Sequence, residues 1–141
     1  MAEQAGGGAP EGKPLNILIV DDSTVMRLMI RRVTQLAGVP IAHIYEAGNG
    51  QEAMDILRAH EVDALFTDIN MPVMSGTDLL RLIAADQRWA RLLRVIVSTD
   101  GSDARRQEVQ DLNVRLYIEK PFRPEVMRDV LSTITANPCA A

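Results

Sequence analysis

The sequence predicts an α/β domain in which helices cover both faces of a five-stranded parallel sheet. Five short apolar runs of strand length alternate with five helical patterns, as in chains that build parallel sheets. The 141 residues are enough for one domain with a substantial core and too few for two typical ones. Because crossovers between parallel strands are right-handed, few topologies are open to such a chain.

The first strand is predicted over Leu15–Val20, because the run LNILIV is short and apolar, as in strands that are buried on both faces. Ser23 can cap the following helix, in which apolar residues recur at helical spacing through Leu36. Gly38 is expected to end this helix, and Pro40 prevents it from resuming.

The remaining elements continue the alternation. Residues 41–46 predict a more polar strand, which is typical of a sheet edge, and residues 49–60 predict a helix. The later strands are predicted at 62–67, 92–97 and 114–118. The helices that follow them are predicted at 75–86, 102–112 and 123–135. The helical pattern at 102–112 has little apolar character.

Both ends of the chain are predicted to lie outside a domain that spans residues 15–136. Residues 1–14 contain three consecutive glycines and two prolines and cannot bury apolar area, so we interpret them as a flexible N-terminal tail. Residues 137–141 are interpreted as a short C-terminal tail. They include the single cysteine, Cys139, which we interpret as incidental because no ordered base can be placed beside it.

Composition and charge argue against several classes of protein. The net charge of −4 gives no electrostatic reason to expect nucleic acid or an anionic membrane as a partner. No apolar run approaches the ~20 residues that cross a bilayer, and the N-terminus lacks the apolar stretch of a signal peptide. One cysteine excludes a disulfide within the chain. We expect a cytoplasmic protein that is a monomer.

Chemistry-bearing residues occur where the predicted strands end. Asp21 and Asp22 follow the first strand, Asp68 the third, Ser98 the fourth and Lys120 the fifth. Open parallel sheets bind their ligands at the carboxyl ends of the strands. Three carboxylates, a hydroxyl and a lysine are therefore expected to converge at one edge of the sheet.

Such a cluster favours magnesium-dependent chemistry on a phosphate. Neighbouring carboxylates repel one another, and each unit of pKa shift costs about 1.4 kcal/mol, so a hard divalent cation is expected among them. Oxygen ligands select Mg²⁺ or Ca²⁺, and Mg²⁺ is commonly held by one or two carboxylates together with a phosphate. One aspartate is then free to act as a nucleophile, while Lys120 and the Ser98 hydroxyl hold the phosphate oxygens.

Each of these residues, taken singly, has an ordinary structural explanation. An Asp-Asp pair before a helix commonly caps it, a lone aspartate can begin a turn, and a lysine before a proline is commonly solvated. No packing argument needs all of them at the same ends of different strands, so their joint placement favours a functional site.

Four motifs together resemble response-regulator receiver domains of the CheY type, over residues 15–135. The motifs are Asp21-Asp22-Ser23, Asp68-Ile69-Asn70-Met71-Pro72 with Gly76, Ser98-Thr99, and Lys120-Pro121-Phe122. The resemblance implies a flavodoxin-like fold with strand order 2-1-3-4-5. The stretch at 21–27 is especially similar to chemotaxis receivers.

The resemblance also implies the roles of the site residues. Asp68 is the phosphoacceptor, and Mg²⁺ is bound by Asp21, Asp22, Asp68 and the main-chain carbonyl of Asn70. Asn70 and Asp100 flank the site and are expected to tune the lifetime of the phosphoryl group, unless they are ordinary solvated loop residues.

The remaining residues of the site form the phosphate-binding switch. The resemblance implies that Ser98, followed by Thr99, is the switch hydroxyl, that Lys120 pairs with the phosphate, and that Tyr117 is the aromatic residue whose rotamer follows Ser98. The peptide bond between Lys120 and Pro121 is expected to be cis.

Two residues depart from the family pattern. Thr99 stands where the residue after the switch hydroxyl is usually small, and its β-branched side chain is expected to bias the rotation of Tyr117. Asn113 stands where a glycine usually precedes the fifth strand, and asparagine can still adopt the left-handed conformation.

The resemblance leaves three functional hypotheses. The first is a single-domain response regulator that accepts a phosphoryl group from a histidine kinase and switches its binding to an output protein, such as a flagellar motor component. The second is a phosphorelay shuttle or phosphate sink that passes the group to a histidine phosphotransfer protein. The third is a Mg²⁺-dependent phosphatase of the haloacid-dehalogenase type, which Asn70 disfavours because that class has a second aspartate there.

The first two hypotheses share every site residue and differ at the surface. Helix one carries Arg27, Arg31 and Arg32, on the face that contacts histidine kinases in the family. The output surface is expected on helix four, strand five and helix five. In either case we expect a phosphoacceptor that assists its own phosphorylation and dephosphorylation and is not otherwise an enzyme.

Overall fold

The computed structural model describes residues 14–136 and contains the predicted alternation of five strands and five helices. The strands are β1 (Leu15–Val20), β2 (Ile41–Ala47), β3 (Ala64–Thr67), β4 (Leu93–Ser98) and β5 (Leu116–Glu119). The helices are α1 (Thr24–Leu36), α2 (Gly50–Ala59), α3 (Gly76–Ala84), α4 (Asp103–Val109) and α5 (Pro124–Ala136). Apart from the exposed Pro14, the predicted tails, with Cys139, lie outside the described residues.

The largest difference from the predicted elements lies between α4 and β5. The helix predicted at 102–112 ends at Val109, and a 3₁₀ turn at Gln110–Leu112 follows it. Asn113 then adopts the left-handed conformation, with φ of 59°, as the sequence allowed. The chain needs this reversal before it can re-enter the sheet, so β5 begins at Leu116, two residues later than predicted.

All neighbouring strands are parallel, and their order in the sheet is β2-β1-β3-β4-β5. The predicted fold class and strand order are therefore confirmed. The chain leaves β1 towards one edge and β3 towards the other, so the loops after these two strands diverge. Such a switch point leaves a crevice at the carboxyl ends of the strands.

The sheet separates two hydrophobic cores. Along β1, Ile17 and Ile19 face one core and Leu18 and Val20 face the other, as the two-residue period of a strand requires. The first core packs the sheet against α1 and α5, and the second packs it against α2, α3 and α4. Each fully buried Leu or Ile side chain stabilises the folded state by roughly 1.5–3 kcal/mol relative to an exposed one.

Side-chain caps fix where four helices begin. Oxygen atoms of Ser23, Asn49, Ser75 and Ser102 accept hydrogen bonds from the main-chain N–H three residues onward. Since each of these helices follows a strand, the caps also fix the loops at the carboxyl edge of the sheet. No helix in residues 14–136 combines the length and the apolar character needed to cross a membrane.

Candidate functional site

The ends of three strands hold Asp21, Asp68 and Lys120 at one edge of the sheet. Each of these residues extends the β ladder by one main-chain hydrogen bond beyond its strand. Asp21 N–H donates to the Ala47 carbonyl (3.0 Å), Asp68 N–H to that of Val20 (2.9 Å), and Lys120 N–H to that of Ser98 (2.8 Å). The backbone at these three positions thus continues the hydrogen-bonding pattern of the sheet.

The side chains of these three residues meet. The Lys120 ammonium lies 2.6 Å from Asp21 Oδ2 and 3.3 Å from Asp68 Oδ2. The three side chains are 8%, 1% and 12% exposed, respectively. Charged groups with so little solvent exposure are stable only when they are paired. Here the Lys120 ammonium pairs with both carboxylates.

The second oxygen of each carboxylate is oriented by the backbone. Asp21 Oδ1 accepts a hydrogen bond from Ser23 N–H (2.9 Å), and Asp68 Oδ1 accepts one from Ile69 N–H (2.7 Å). Asp68 Oδ2 is left facing the Lys120 ammonium, which places a nucleophilic oxygen next to a cation that can neutralise a phosphate.

Asp21, Asp22 and Asp68 can hold a metal ion. Each offers a carboxylate oxygen, and these oxygens all lie within 4.8 Å of one another. At a Mg–O distance of ~2.1 Å, ligand oxygens around one ion lie ~3 to ~4.2 Å apart, so small side-chain rotations complete such a site. An all-oxygen set suits Mg²⁺, and Asp22, which is exposed, can turn towards the ion.

The loop after Asp68 folds tightly back on itself. Gly76 N–H donates to the Ile69 carbonyl (2.7 Å), and the Thr67 hydroxyl donates to the Asp68 carbonyl (2.8 Å). A Cβ atom at position 76 would lie 1.9 Å from the Asp68 carbonyl oxygen, so only glycine fits there. Val73, in the same loop, has a left-handed φ of 67°, which is costly for a β-branched residue.

Ser98 and Tyr117 are linked through the loop after β4. Ser98 is fully buried, and its Oγ accepts a hydrogen bond from Asp100 N–H (3.1 Å). The Tyr117 hydroxyl donates to the Asp100 carbonyl, and burial raises the pKa of that hydroxyl. Thr99, between Ser98 and Asp100, is exposed. A shift of this loop therefore moves the contacts of both Ser98 and Tyr117.

The three arginines of α1 do not form one open surface. Arg27 Nη1 donates to the Asp21 carbonyl (2.6 Å), and Arg27 and Arg31 both pair with Glu46 (3.1 and 2.9 Å). Only Arg32 of the three is exposed. The reason is that β2 presents Glu46 to α1, which the sequence pattern does not reveal.

Arg105 and Arg106, in α4, contact the site loops and were not identified from the sequence. Arg105 Nε lies 3.2 Å from Asp100 Oδ2, and Arg105 Nη2 lies 3.4 Å from Asn70 Oδ1. The Arg106 guanidinium stacks 4.4 Å from the centroid of the Tyr117 ring. The only signal in the sequence is the low apolar content of this helix.

Lys120 and Pro121 are joined by a cis peptide bond. Asn70 is exposed, and Asp100 is half-buried. The structure thus brings together Asp21, Asp22, Asp68 and Lys120, and it places Asn70, Ser98, Thr99, Asp100 and Tyr117 on the adjoining loops and strands.

The sequence matches a family model described as the response regulator receiver domain over residues 17–132. A chemotaxis protein CheY1 of Helicobacter pylori is 34% identical over 121 residues, which cover 85% of this chain and 96% of that protein. A chemotaxis protein CheY of Pseudomonas aeruginosa is also 34% identical, over 120 residues that cover 85% and 95% of the two chains.

Solved structures show the same fold. The chemotaxis response regulator CheY4 of Vibrio cholerae superposes with a TM-score of 0.77 at 26% sequence identity. The match covers 86% of this chain and 99% of that one. A receiver domain protein from Methanospirillum hungatei, at 21% identity, also gives a TM-score of 0.77.

Proposed function

The chain belongs to the response regulator receiver domain family, and on that premise we propose that it is a phosphorylation switch of the chemotaxis type in which Asp68 accepts the phosphoryl group. Receiver domains are signalling proteins and not classical enzymes. The observation that carries the proposal is the position of the Lys120 ammonium between Asp21 and Asp68, with both carboxylates almost fully buried.

The proposed reaction transfers a phosphoryl group from a phosphohistidine to Asp68. An Asp68 carboxylate oxygen attacks phosphorus, the P–N bond breaks, and the electron pair leaves with the imidazole of the donor. Asp68 Oδ1 is held by Ile69 N–H, so the attacking group is oriented before the donor arrives. Lys120, now paired with Asp68, is close enough to bind a phosphoryl oxygen as negative charge accumulates.

Asp21, Asp22, Asp68 and the Asn70 carbonyl are proposed to hold Mg²⁺. When bound, the ion would neutralise phosphoryl oxygens in the transition state. The three carboxylates fit this role because their oxygens lie within 4.8 Å of one another and would otherwise repel.

The switch is proposed to run through Ser98 and Tyr117. The phosphoryl group recruits the Ser98 hydroxyl, which draws in the loop that carries Asp100, and Tyr117 follows because its hydroxyl is bonded to the Asp100 carbonyl. The phosphoryl group then favours one of two existing states of the surface formed by α4, β5 and α5. Thr99 is exposed and is proposed to bias this movement.

Two exposed surfaces of the domain are proposed to bind its partner proteins. A histidine kinase, or a histidine phosphotransfer protein, is proposed to dock on α1, where Val25 and Leu28 are 72% and 63% exposed beside Arg32. The output protein, such as a flagellar motor component, is proposed to bind the α4–β5–α5 surface. A phosphorelay shuttle or phosphate sink would use the same site and differs only in its partner. A cytoplasmic location and a monomeric state stay predictions.

The test is incubation with acetyl phosphate and MgCl₂ followed by mass spectrometry of the intact protein and its peptides. We expect one phosphoryl group, located on Asp68, and none when Mg²⁺ is chelated. Asp68→Asn should abolish the modification. Asp55→Asn, at an exposed aspartate of α2, is the matched control and should be phosphorylated like the wild type.

Two results would overturn the proposal. One is phosphorylation of Asp68→Asn at the wild-type rate. The other is continuous turnover of a small phosphomonoester without accumulation of phosphoprotein, which is the behaviour of a phosphatase.

A further inference from the structure

Arg105 joins two loops that border the phosphorylation site. Its Nε lies 3.2 Å from Asp100 Oδ2, and its Nη2 lies 3.4 Å from Asn70 Oδ1. Its Nη1 lies 2.7 Å from Glu108 Oε1, one turn further along α4. We call the contacts with Asp100 and Asn70 the Arg105 bridge.

The Arg105 bridge crosses the rim of the site. Asn70 follows Asp68 by two residues, and Asp100 follows Ser98 by two residues, on loops that leave the neighbouring strands β3 and β4. The guanidinium therefore connects the loop after β3, which carries Asn70, to the loop after β4, which carries Asp100.

The bridge is held firmly for a surface contact. The Arg105 side chain is only 29% exposed, and its main-chain N–H is fixed by the Ser102 cap. Hydrogen bonds from Ser102, and then from Arg105, lower the pKa of the Asp100 carboxyl, so Asp100 is charged at neutral pH. Hydrogen bonds from Arg105 to Glu108 and Asp100 raise the pKa of the guanidinium.

We propose that Arg105 is a positioning residue that sets the lifetime of the phosphoryl group on Asp68, because the Arg105 bridge narrows the approach of water to it. This inference rests on the proposed function. Hydrolysis requires a water oxygen to attack phosphorus roughly in line with the bond that breaks. The P–O bond to Asp68 is cleaved, the carboxylate is restored, and the proton of the water passes to the departing phosphate or to solvent.

The bridge slows this step in two ways. It holds the Asn70 and Asp100 side chains together across the rim, so a water molecule has less room to enter. It also occupies the Asp100 carboxylate, which would otherwise be a charged acceptor able to hydrogen-bond and orient the attacking water. Removing the guanidinium removes both effects, so the phosphoryl group should be lost faster.

The experiment measures the decay of phosphorylated protein after rapid removal of acetyl phosphate, with Mg²⁺ retained. We expect Arg105→Ala to shorten the lifetime about threefold to tenfold, in the range of measured couplings between contacting residues. Arg81→Ala is the matched control, because Arg81 also pairs with Glu108 (3.8 Å), but within residues 14–136 its salt bridges are with Asp78 and Glu108 and do not reach Asn70 or Asp100. Its lifetime should stay within about 1.5-fold of the wild type.

Two further variants separate positioning from a general loss of structure. Arg105→Lys keeps the charge but lacks the planar fork that spans two partners, so its lifetime should lie between those of the wild type and Arg105→Ala. In an Asp100→Asn, Asn70→Ala background, where the bridge has lost its partners, adding Arg105→Ala should change the lifetime little. If Arg105→Ala merely loosened the fold, it would shorten the lifetime equally in both backgrounds.

The inference is wrong if Arg105→Ala and Arg81→Ala have the same lifetime, or if the effect of Arg105→Ala persists undiminished without Asn70 and Asp100 side chains. If Arg105→Ala does not fold, the lifetime of Arg105→Lys decides in its place. A wild-type protein that is never phosphorylated on Asp68 overturns the proposed function instead, and the inference with it.

Discussion

At the scale of single residues, the site depends on side chains that are confined on several sides at once. Lys120 pairs with two nearly buried carboxylates, and Gly76 leaves no space beside the carbonyl of Asp68. Close packing of this kind means that one added or removed group changes both the stability of the protein and the geometry around Asp68.

We predict that Gly76→Ala destabilises the protein by about 1–3 kcal/mol or more. The new Cβ would lie 1.9 Å from the Asp68 carbonyl oxygen and 2.9 Å from Ile69 Cα, so the backbone must move. Urea unfolding followed by the fluorescence of the single tryptophan, Trp89, measures the change. Gly48→Ala, whose Cβ would make ordinary contacts at 3.5 and 3.7 Å, is the control. Equal losses in the two variants would contradict the steric argument.

The Tyr117 hydroxyl should ionise only above the ordinary tyrosine pKa of ~10. Burial raises its pKa because the phenolate would lose solvation, although a hydrogen bond with Ser98 acts in the opposite direction. The stability that this shift contributes is therefore present below pH ~10 and is lost as the pH rises through the higher pKa of the folded state. An absorbance titration of Tyr45→Phe, which leaves one tyrosine, checks this. Ionisation at or below the ordinary value would refute it.

At the scale of elements, α1 and α3 each contain a buried threonine, and the two hydroxyl groups differ in hydrogen bonding. In α1, the fully buried Thr34 hydroxyl donates to the Ile30 carbonyl (2.7 Å). In α3, Thr77 is 4% exposed, and its hydroxyl has no hydrogen-bond partner among the described residues. A buried polar atom without a partner retains its desolvation cost, whereas a bonded one recovers it.

Thr→Val substitutions at these two positions should therefore have opposite signs. We expect Thr77→Val to stabilise the protein by about 1 kcal/mol, since valine has nearly the same shape and no hydroxyl to desolvate. Thr34→Val should destabilise it by a similar amount, roughly 0.5–1.5 kcal/mol, because a hydrogen bond is lost. Urea unfolding of both variants provides the measurement. A stabilising Thr34→Val or a destabilising Thr77→Val would show that helix packing, and not hydrogen bonding, dominates.

At the scale of the whole molecule, the sheet holds the acidic residues together against their repulsion. Asp21 and Asp68 are fixed by neighbouring strands, and Asp22 follows Asp21 directly. Folding therefore concentrates negative charge at one edge, and a cation that binds only the folded state should stabilise the entire domain.

We predict that MgCl₂ raises the free energy of unfolding by ~2.7 kcal/mol at one hundred times its Kd, the value for one site on the folded state. Asp22→Asn should remove most of this gain, and it leaves the buried pair of Asp21 and Lys120 intact. Asp55→Asn should keep the gain. Thermal unfolding with and without Mg²⁺, at ionic strength matched with NaCl, gives the comparison. An equal gain in both variants would place the ion elsewhere.

The sequence alone determined the fold class, the order of the elements and the strand-end positions of the site residues. These follow from local patterns, namely the period of apolar residues and the rule that parallel strands present their carboxyl ends to a ligand. The boundaries at α4 and β5 were wrong by up to three residues, because the 3₁₀ turn and the reversal at Asn113 leave no periodic trace.

Only the tertiary structure decided which side chains meet. Lys120 pairs with Asp21 across 99 positions of sequence, Arg27 turns from the surface to the Asp21 carbonyl, and Arg105 reaches Asn70 from another helix. Arg94, within the apolar run of β4, is buried with its guanidinium bonded to the carbonyl oxygens of Trp89 and Leu112. Such contacts depend on rotamers and burial set by the packing of distant segments, which a local pattern does not encode.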